Sequence, residues 1–211
     1  MSWYKWDGRG RIRQFLLPDD CIYTSRIYTS GQLHHERNST NNYVSNFKMG
    51  PNQENPRRLY FRDEAINIFV RELKEIISIN ATTAISWIPT SKNKLDVNYD
   101  NRFEIVLKKL LTFRKNLTQI EIFTAKSTRE PFHHGAVRDP QILKQEWEWC
   151  DCDLTIHERL IVIDDVLTEG TNFRAFSDLV LAKFPNIKIY GVIWALAEYP
   201  EDFEDFFPIQ D

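Results

Sequence analysis

The sequence predicts an α/β fold with an open, mainly parallel sheet, doubly wound so that helices cover both faces. Three observations carry this. Short segments rich in apolar residues at 84–88, 119–123, 160–163 and 187–194 read as strands, with that at 119–123 alternating polar and apolar. Helical periodicity occupies intervals between them, at 62–78, 101–115 and from Phe173 to about Phe184. Strands that alternate with helices pair in parallel through crossover connections.

Taken in order, residues 1–56 hold short aromatic and β-branched pieces, such as 21–28, broken by polar runs such as 34–42. They predict an irregular, partly β amino-terminal subdomain over 1–61, ahead of an α/β domain over 62–211. In the helix expected at 62–78, Ala65, Ile66, Phe69, Leu73, Ile76 and Ile77 share one face. Asp63 and Glu64 fall in its first turn, where the helix dipole favours acids. The next helix buries Phe103, Val106, Leu107, Leu110 and Leu111. Alternation then lapses from 124 to 158, so an insert is expected at about 125–158. It holds Lys126, Ser127, Arg129, His133, His134, Arg138 and Asp139.

Composition narrows the class. A chain of 211 residues suits one α/β domain with an appended subdomain. No stretch is apolar enough to span a membrane, and residues 1–15 lack the apolar core of a secretion signal. Three cysteines are an odd count for a disulfide framework, so a reducing cytoplasm is the expected location. Cys150 and Cys152 have a spacing unlike structural zinc pairs. The His34–His35 pair sits in a polar run and reads as solvated.

Net charge is −3, unevenly spread: residues 1–62 carry ten Lys/Arg against five Asp/Glu, and 196–211 carry six acids and no bases. The basic end is what a nucleic-acid partner would use, and a mixed solvated surface is the plainer account. Trp3, Tyr4 and Trp6 could stack on bases or pack on the domain. Phe203, Phe206 and Phe207, flanked by acids, read as a docking segment. A homo-oligomer or a subunit of a larger complex is compatible with both aromatic ends.

Function is concentrated between Arg159 and Phe173. Four apolar residues, Leu160 to Ile163, run into Asp164 and Asp165. Val166 and Leu167 then lead to a polar turn, Thr168, Glu169, Gly170, Thr171 and Asn172, which opens a helix. Open α/β sheets bind ligands at this carboxyl edge. Backbone N–H groups at a helix start favour phosphate, and adjacent carboxylates suit sugar hydroxyls or hydrated magnesium. A second piece lies upstream, where the strand at 84–88 meets Pro89, Thr90, Ser91 and Lys92. Two hydroxyls and a cation suit a highly charged group.

The stretch from Leu160 to Asn172 resembles the signature of the type I phosphoribosyltransferases, which bind 5-phosphoribosyl-1-pyrophosphate (PRPP). Its threonine–glycine–threonine turn is similar to the orotate branch, and the proline-containing loop before Lys92 is similar to the competence-protein branch. The resemblance implies a phosphoribosyltransferase-like fold and magnesium-dependent transfer of the phosphoribosyl group to a nitrogenous acceptor. By the same resemblance, Asp164 and Asp165 hold the ribose hydroxyls directly or through magnesium. Thr168, Glu169, Gly170, Thr171 and Asn172 form the 5′-phosphate loop, Thr90, Ser91 and Lys92 hold pyrophosphate, and Lys92 with magnesium neutralises it as it departs. The insert would be a hood closing over substrate and excluding water, and residues 194–198 would contact the acceptor. A general base is not evident, which fits chemistry done by positioning and charge stabilisation.

Two positions depart from the family pattern. Glu169 replaces a small residue, and Asn172 stands where a hydroxyl or small residue is usual. A carboxylate turned into the pocket would repel phosphate, whereas one turned to solvent would leave binding intact. A catalytically silent binder of PRPP or a nucleotide, acting as a regulator or a subunit, therefore remains the alternative.

Overall fold

The computed structural model describes residues 3–6, 13–29, 39–52, 54–77, 83–128 and 139–198. Its centre is a six-stranded sheet in the order β1–β2–β8–β7–β3–β4. The strands are β1 (Tyr4–Lys5), β2 (Cys21–Thr29), β3 (Thr83–Trp87), β4 (Thr118–Gln119), β7 (Arg159–Leu167) and β8 (Lys188–Glu198). Only β1 runs antiparallel; every other pairing is parallel. The expected α/β class with a mainly parallel sheet is the observed one.

Side-chain alternation divides the core into two layers. Ile85, Trp87, Ile161, Ile163, Val192 and Trp194 face one side, under α1 (Ser39–Phe47), α2 (Pro56–Ile76) and α3 (Arg102–Leu111). Ala84, Leu160, Val162 and Ile193 face the other, under α5 (Thr171–Lys183) and a smaller unit. That unit joins α4 (Pro140–Glu146) to an antiparallel pair, β5 (Phe123–Ala125) and β6 (Trp147–Trp149).

The connections create the site. From β3 the chain climbs into α3 on the first face, and from β7, the neighbouring strand, it climbs into α5 on the second. Loops that diverge from adjacent parallel strands leave a crevice at their carboxyl ends. Among the described residues, no helix is long and apolar enough to cross a membrane.

Several boundaries differ from the sequence expectation, each for a local reason. Helix α2 starts at Pro56, six residues early, because the Asn55 side chain accepts the Arg57 N–H at 3.0 Å and proline suits a first turn. The division expected at residue 61 therefore falls inside a helix. Cys21–Thr29 is a regular nine-residue strand, paired to β8 from Cys21↔Tyr190 to Thr29↔Glu198. The strand expected at 119–123 is split between two sheets: Thr118–Gln119 joins β3, while Phe123–Ala125 joins β6. The region expected as an open insert contains α4, capped by Asp139, whose side chain accepts the Gln141 N–H at 2.8 Å. It also contains β6, whose Trp147 and Trp149 pack on Phe123.

Of the expected hood, Arg129, His133, His134 and Arg138 lie outside the described residues, as do His34, His35, Phe203, Phe206 and Phe207. Trp3 packs on the first core layer, and its indole N–H donates to the Glu72 carbonyl at 3.0 Å. Trp6 packs on the second layer, while Tyr4 is exposed.

β2 is fastened by a buried polar knot. The Glu72 carboxylate, within α2, accepts hydrogen bonds from Arg26 Nε (3.2 Å), Ser25 Oγ (3.0 Å) and Trp194 Nε1 (2.9 Å), with a further bond from Arg26 Nη2. The Arg26 guanidinium also lies over the Tyr43 and Trp194 rings. Removing one partner of such a pair strands a charge in the core. Glu72→Ala is expected to cost about 3–5 kcal/mol, read as a lower urea midpoint at unchanged slope.

Candidate functional site

β7 carries four buried apolar residues to the sheet edge and then presents Asp164 and Asp165, which are 7% and 5% exposed. Two adjacent acids at such burial need partners. Asp164 Oδ1 accepts the Asp165 backbone N–H at 2.8 Å. Asp165 is held by two cations: Oδ2 accepts from Arg102 Nη2 at 2.6 Å, and Oδ1 lies 2.9 Å from Lys48 Nζ.

Arg102 is held between two carboxylates and two aromatic rings. A second guanidinium nitrogen bonds Asp100, which is itself held by Arg62 at 3.1 Å. The guanidinium carbon lies 4.9 Å from the Phe103 ring centroid and 5.4 Å from that of Phe47. A chain of charges thus runs Arg62–Asp100–Arg102–Asp165–Lys48, tying α2, α3 and β7 to the end of α1.

The turn after β7 ends at Gly170, which adopts φ +81° and serves as the N-cap of α5. The conformation requires glycine, and a Cβ there would also sit 2.4 Å from Leu16 Cδ2 and force that side chain to move. Residues 14–16 back the turn: Phe15 N–H donates to the Glu169 carbonyl at 3.1 Å, and Gln14 N–H reaches the Glu169 carboxylate at 3.4 Å. Glu169 is therefore directed at the amino-terminal segment.

A cavity of about 350 Å³ opens in the crevice between β3 and β7. Its wall includes Thr90 and Ser91 from the loop after β3, Asp164 and Asp165 from β7, and Thr168 and Asn172 from the turn and α5. Six residues expected from two separate sequence motifs are thus brought together. Lys92, Glu169, Gly170 and Thr171 do not form the wall. Gly170 and Thr171 are buried in the turn and the first turn of α5, and Lys92 is half-buried on its loop, its charge felt at Asp96. Thr90 Oγ1 is buried beside the cavity without a hydrogen-bond partner among the described residues. A hydroxyl left in that state at a cavity is an unmet demand for a ligand or water.

Lys48, Arg102 and Tyr28 also line the cavity, and no motif announced them. Arg102 left one trace in the sequence: a cation at the first position of a helix opposes the helix dipole. Lys48 left none. A larger hollow, about 520 Å³, lies at the opposite end of β7 and β8 among Leu154, His157, Lys183 and Phe184, away from all these residues.

The two acids titrate apart. Burial, then the charge of Asp165, pushes Asp164 up to about 7. At Asp165 burial acts upward as well, but Lys48 and Arg102 outweigh it and hold that carboxyl below its usual range. Arg102 is held above its ordinary value by Asp165 and Asp100, against the downward pull of burial.

Among solved structures, the chain is similar to the Helicobacter pylori xanthine-guanine-hypoxanthine phosphoribosyltransferase, with a TM-score of 0.36 and 9% sequence identity. The match covers 68% of this chain and 89% of that one. No protein-family model and no curated protein matches the sequence.

The pKa pattern sets a pH dependence. An aspartate that titrates near 7 when folded and at about 3.9 when unfolded binds a proton in the folded state alone between those values. Its contribution to stability therefore falls as pH rises from about 4 to 7. Asp165 acts oppositely: its stabilisation is present above the unfolded value and is lost as pH falls through the lowered folded one. Asp164→Asn keeps an oxygen for the Asp165 amide and removes the ionisation. In metal-free buffer it is expected to raise stability at pH 8 by on the order of 1–3 kcal/mol. Thermal unfolding should show that gain shrinking as the pH is lowered to 5.

Proposed function

We propose that the cavity between β3 and β7 binds PRPP and that the protein transfers its phosphoribosyl group to a nitrogenous acceptor. The observation that carries this reading is the convergence of Thr90, Ser91, Asp164, Asp165, Thr168 and Asn172 on one cavity at the carboxyl edge of parallel strands. Thr168 and the backbone N–H groups opening α5 hold the 5′-phosphate. Asp164 and Asp165 accept from the ribose hydroxyls. Thr90 and Ser91 donate to the pyrophosphate, with Lys92 beside them adding charge.

In the transfer, the bond from C1 to the pyrophosphate oxygen breaks and the pyrophosphate leaves with the electron pair. The acceptor nitrogen forms the new bond to C1 and gives up its proton to solvent water. The chain contributes by holding the ends of the donor in line and stabilising developing charge.

Magnesium fits this donor set through Asp164. Asp164 gives Oδ1 to the Asp165 amide, whereas both oxygens of Asp165 already face cations. Magnesium is commonly held by one or two carboxylates plus substrate phosphates, and it would supply neutralisation of the diphosphate.

Calorimetric titration with PRPP and magnesium tests the reading, with Asp164→Asn/Asp165→Asn beside it. Micromolar affinity in the parent and its loss in the double variant is the expected result. No heat of binding in a folded parent would sink it. Because Glu169 bonds the amino-terminal segment, Glu169→Ala is expected to change donor affinity by no more than about twofold.

One observation favours a second reading, in which the ligand is bound without turnover as part of a regulator or a larger complex. Asp165 is engaged by Arg102 and Lys48 where a transferase would present a carboxylate to the ribose. Pyrophosphate release separates the two: binding with no release across nitrogenous acceptors supports the silent binder.

A further inference from the structure

Among the described residues, the two cations that line the cavity are held in different ways. Arg102 is clamped between Asp100 and Asp165 and packed on two aromatic rings, with 12% of its side chain exposed. Lys48 has a fixed base and a loose tip. It follows Phe47, whose ring meets Phe69, Phe103 and Trp194 at 5.3–5.5 Å, so its backbone is anchored in the core. Its side chain leaves that anchor for Asp165 with 46% of its surface exposed. An ion pair with one partner half in water is weakly held, and a lysine stem reorients easily.

We propose that Lys48 is the diphosphate-selecting residue of this site: it leaves Asp165 and closes on the diphosphate of the incoming ligand. The inference rests on the phosphoribosyl reading above. It follows from the charges in the wall. Two buried carboxylates face the cavity, and the two cations beside them both serve Asp165. Lys92 lies outside the wall, so among the described residues a diphosphate would meet those carboxylates with no lining cation to spare unless one is released. Arg102 is the costlier cation to release, because it is buried and its leaving would break two ion pairs, to Asp100 and to Asp165, where Lys48 gives up one.

Release of Lys48 costs less and does two things. Arg102 remains to neutralise Asp165, and Asp165 Oδ1, vacated by the lysine, becomes an acceptor for a ribose hydroxyl. A sugar carrying only a 5′-phosphate anchors on Thr168 and the start of α5, and it brings no group for Lys48. The residue therefore reads the substituent at C1.

The test is calorimetric titration of the full chain with PRPP and with ribose 5-phosphate, in the same magnesium buffer, for the parent, Lys48→Met and Lys48→Arg. Lys48→Met should weaken PRPP binding about ten- to a hundredfold, the worth of a charge-assisted contact, while ribose 5-phosphate affinity stays within about threefold. Lys48→Arg should recover most of the PRPP affinity, since charge and reach are kept. Equal losses for both ligands would mark Lys48 as structural and overturn the proposal, as would unchanged PRPP binding in Lys48→Met. A folded parent that binds neither sugar phosphate would instead defeat the underlying phosphoribosyl reading.

Discussion

The neutralisation of Asp165 is the constraint around which the site is arranged. A strand that carries two adjacent buried acids cannot stand without counter-charge, because an unpaired carboxylate in that setting is costly. The protein meets the need with Arg102 from the start of α3 and Lys48 from beyond α1. Arg102 requires Asp100, and Asp100 requires Arg62 from α2. Three helices on one face of the sheet are therefore positioned by one carboxylate on β7, and the cavity is the space those demands leave beside the diverging loops.

What could be read from the sequence follows the distance over which each feature is determined. The strand that carries Asp164 and Asp165, the glycine turn and the Thr90–Ser91 loop are local patterns, and each lines or supports the cavity as a neighbour of its own strand. The α/β class was legible for the same reason, since periodicity is local. Lys48 and Arg102 belong to the site only because tertiary packing brings α1 and α3 to β7, and no spacing encodes that. The division of the 119–123 run between two sheets likewise depends on where β6 lies.

β2 shows the same limit in the core. Its residues mix Tyr23, Ser25 and Arg26 with apolar neighbours, which from the sequence resembles a fragment in an irregular region. In the fold, Ser25 and Arg26 are satisfied by Glu72, so a polar pattern becomes a strand that is buried at Ile22, Thr24 and Ser25. Glu169 is a related case at the site: its charge looks hostile to phosphate until its carboxylate is found turned toward the Gln14 amide.

The place of β8 has a consequence for how the chain assembles. It lies between β2 and β7, pairing in parallel with both along most of its length. Yet of the described strands it is the last to emerge during synthesis, well after β2 and β7. Until β8 arrives, the sheet has a gap at its centre, and β2 cannot reach β7. Contacts between residues so far apart in sequence make for slow folding. The half-built sheet exposes unpaired strand edges, a setting in which growing chains aggregate or require chaperones. Synthesis of residues 188–198 is thus the event that closes the sheet, and truncation before residue 188 would leave two separated fragments of it.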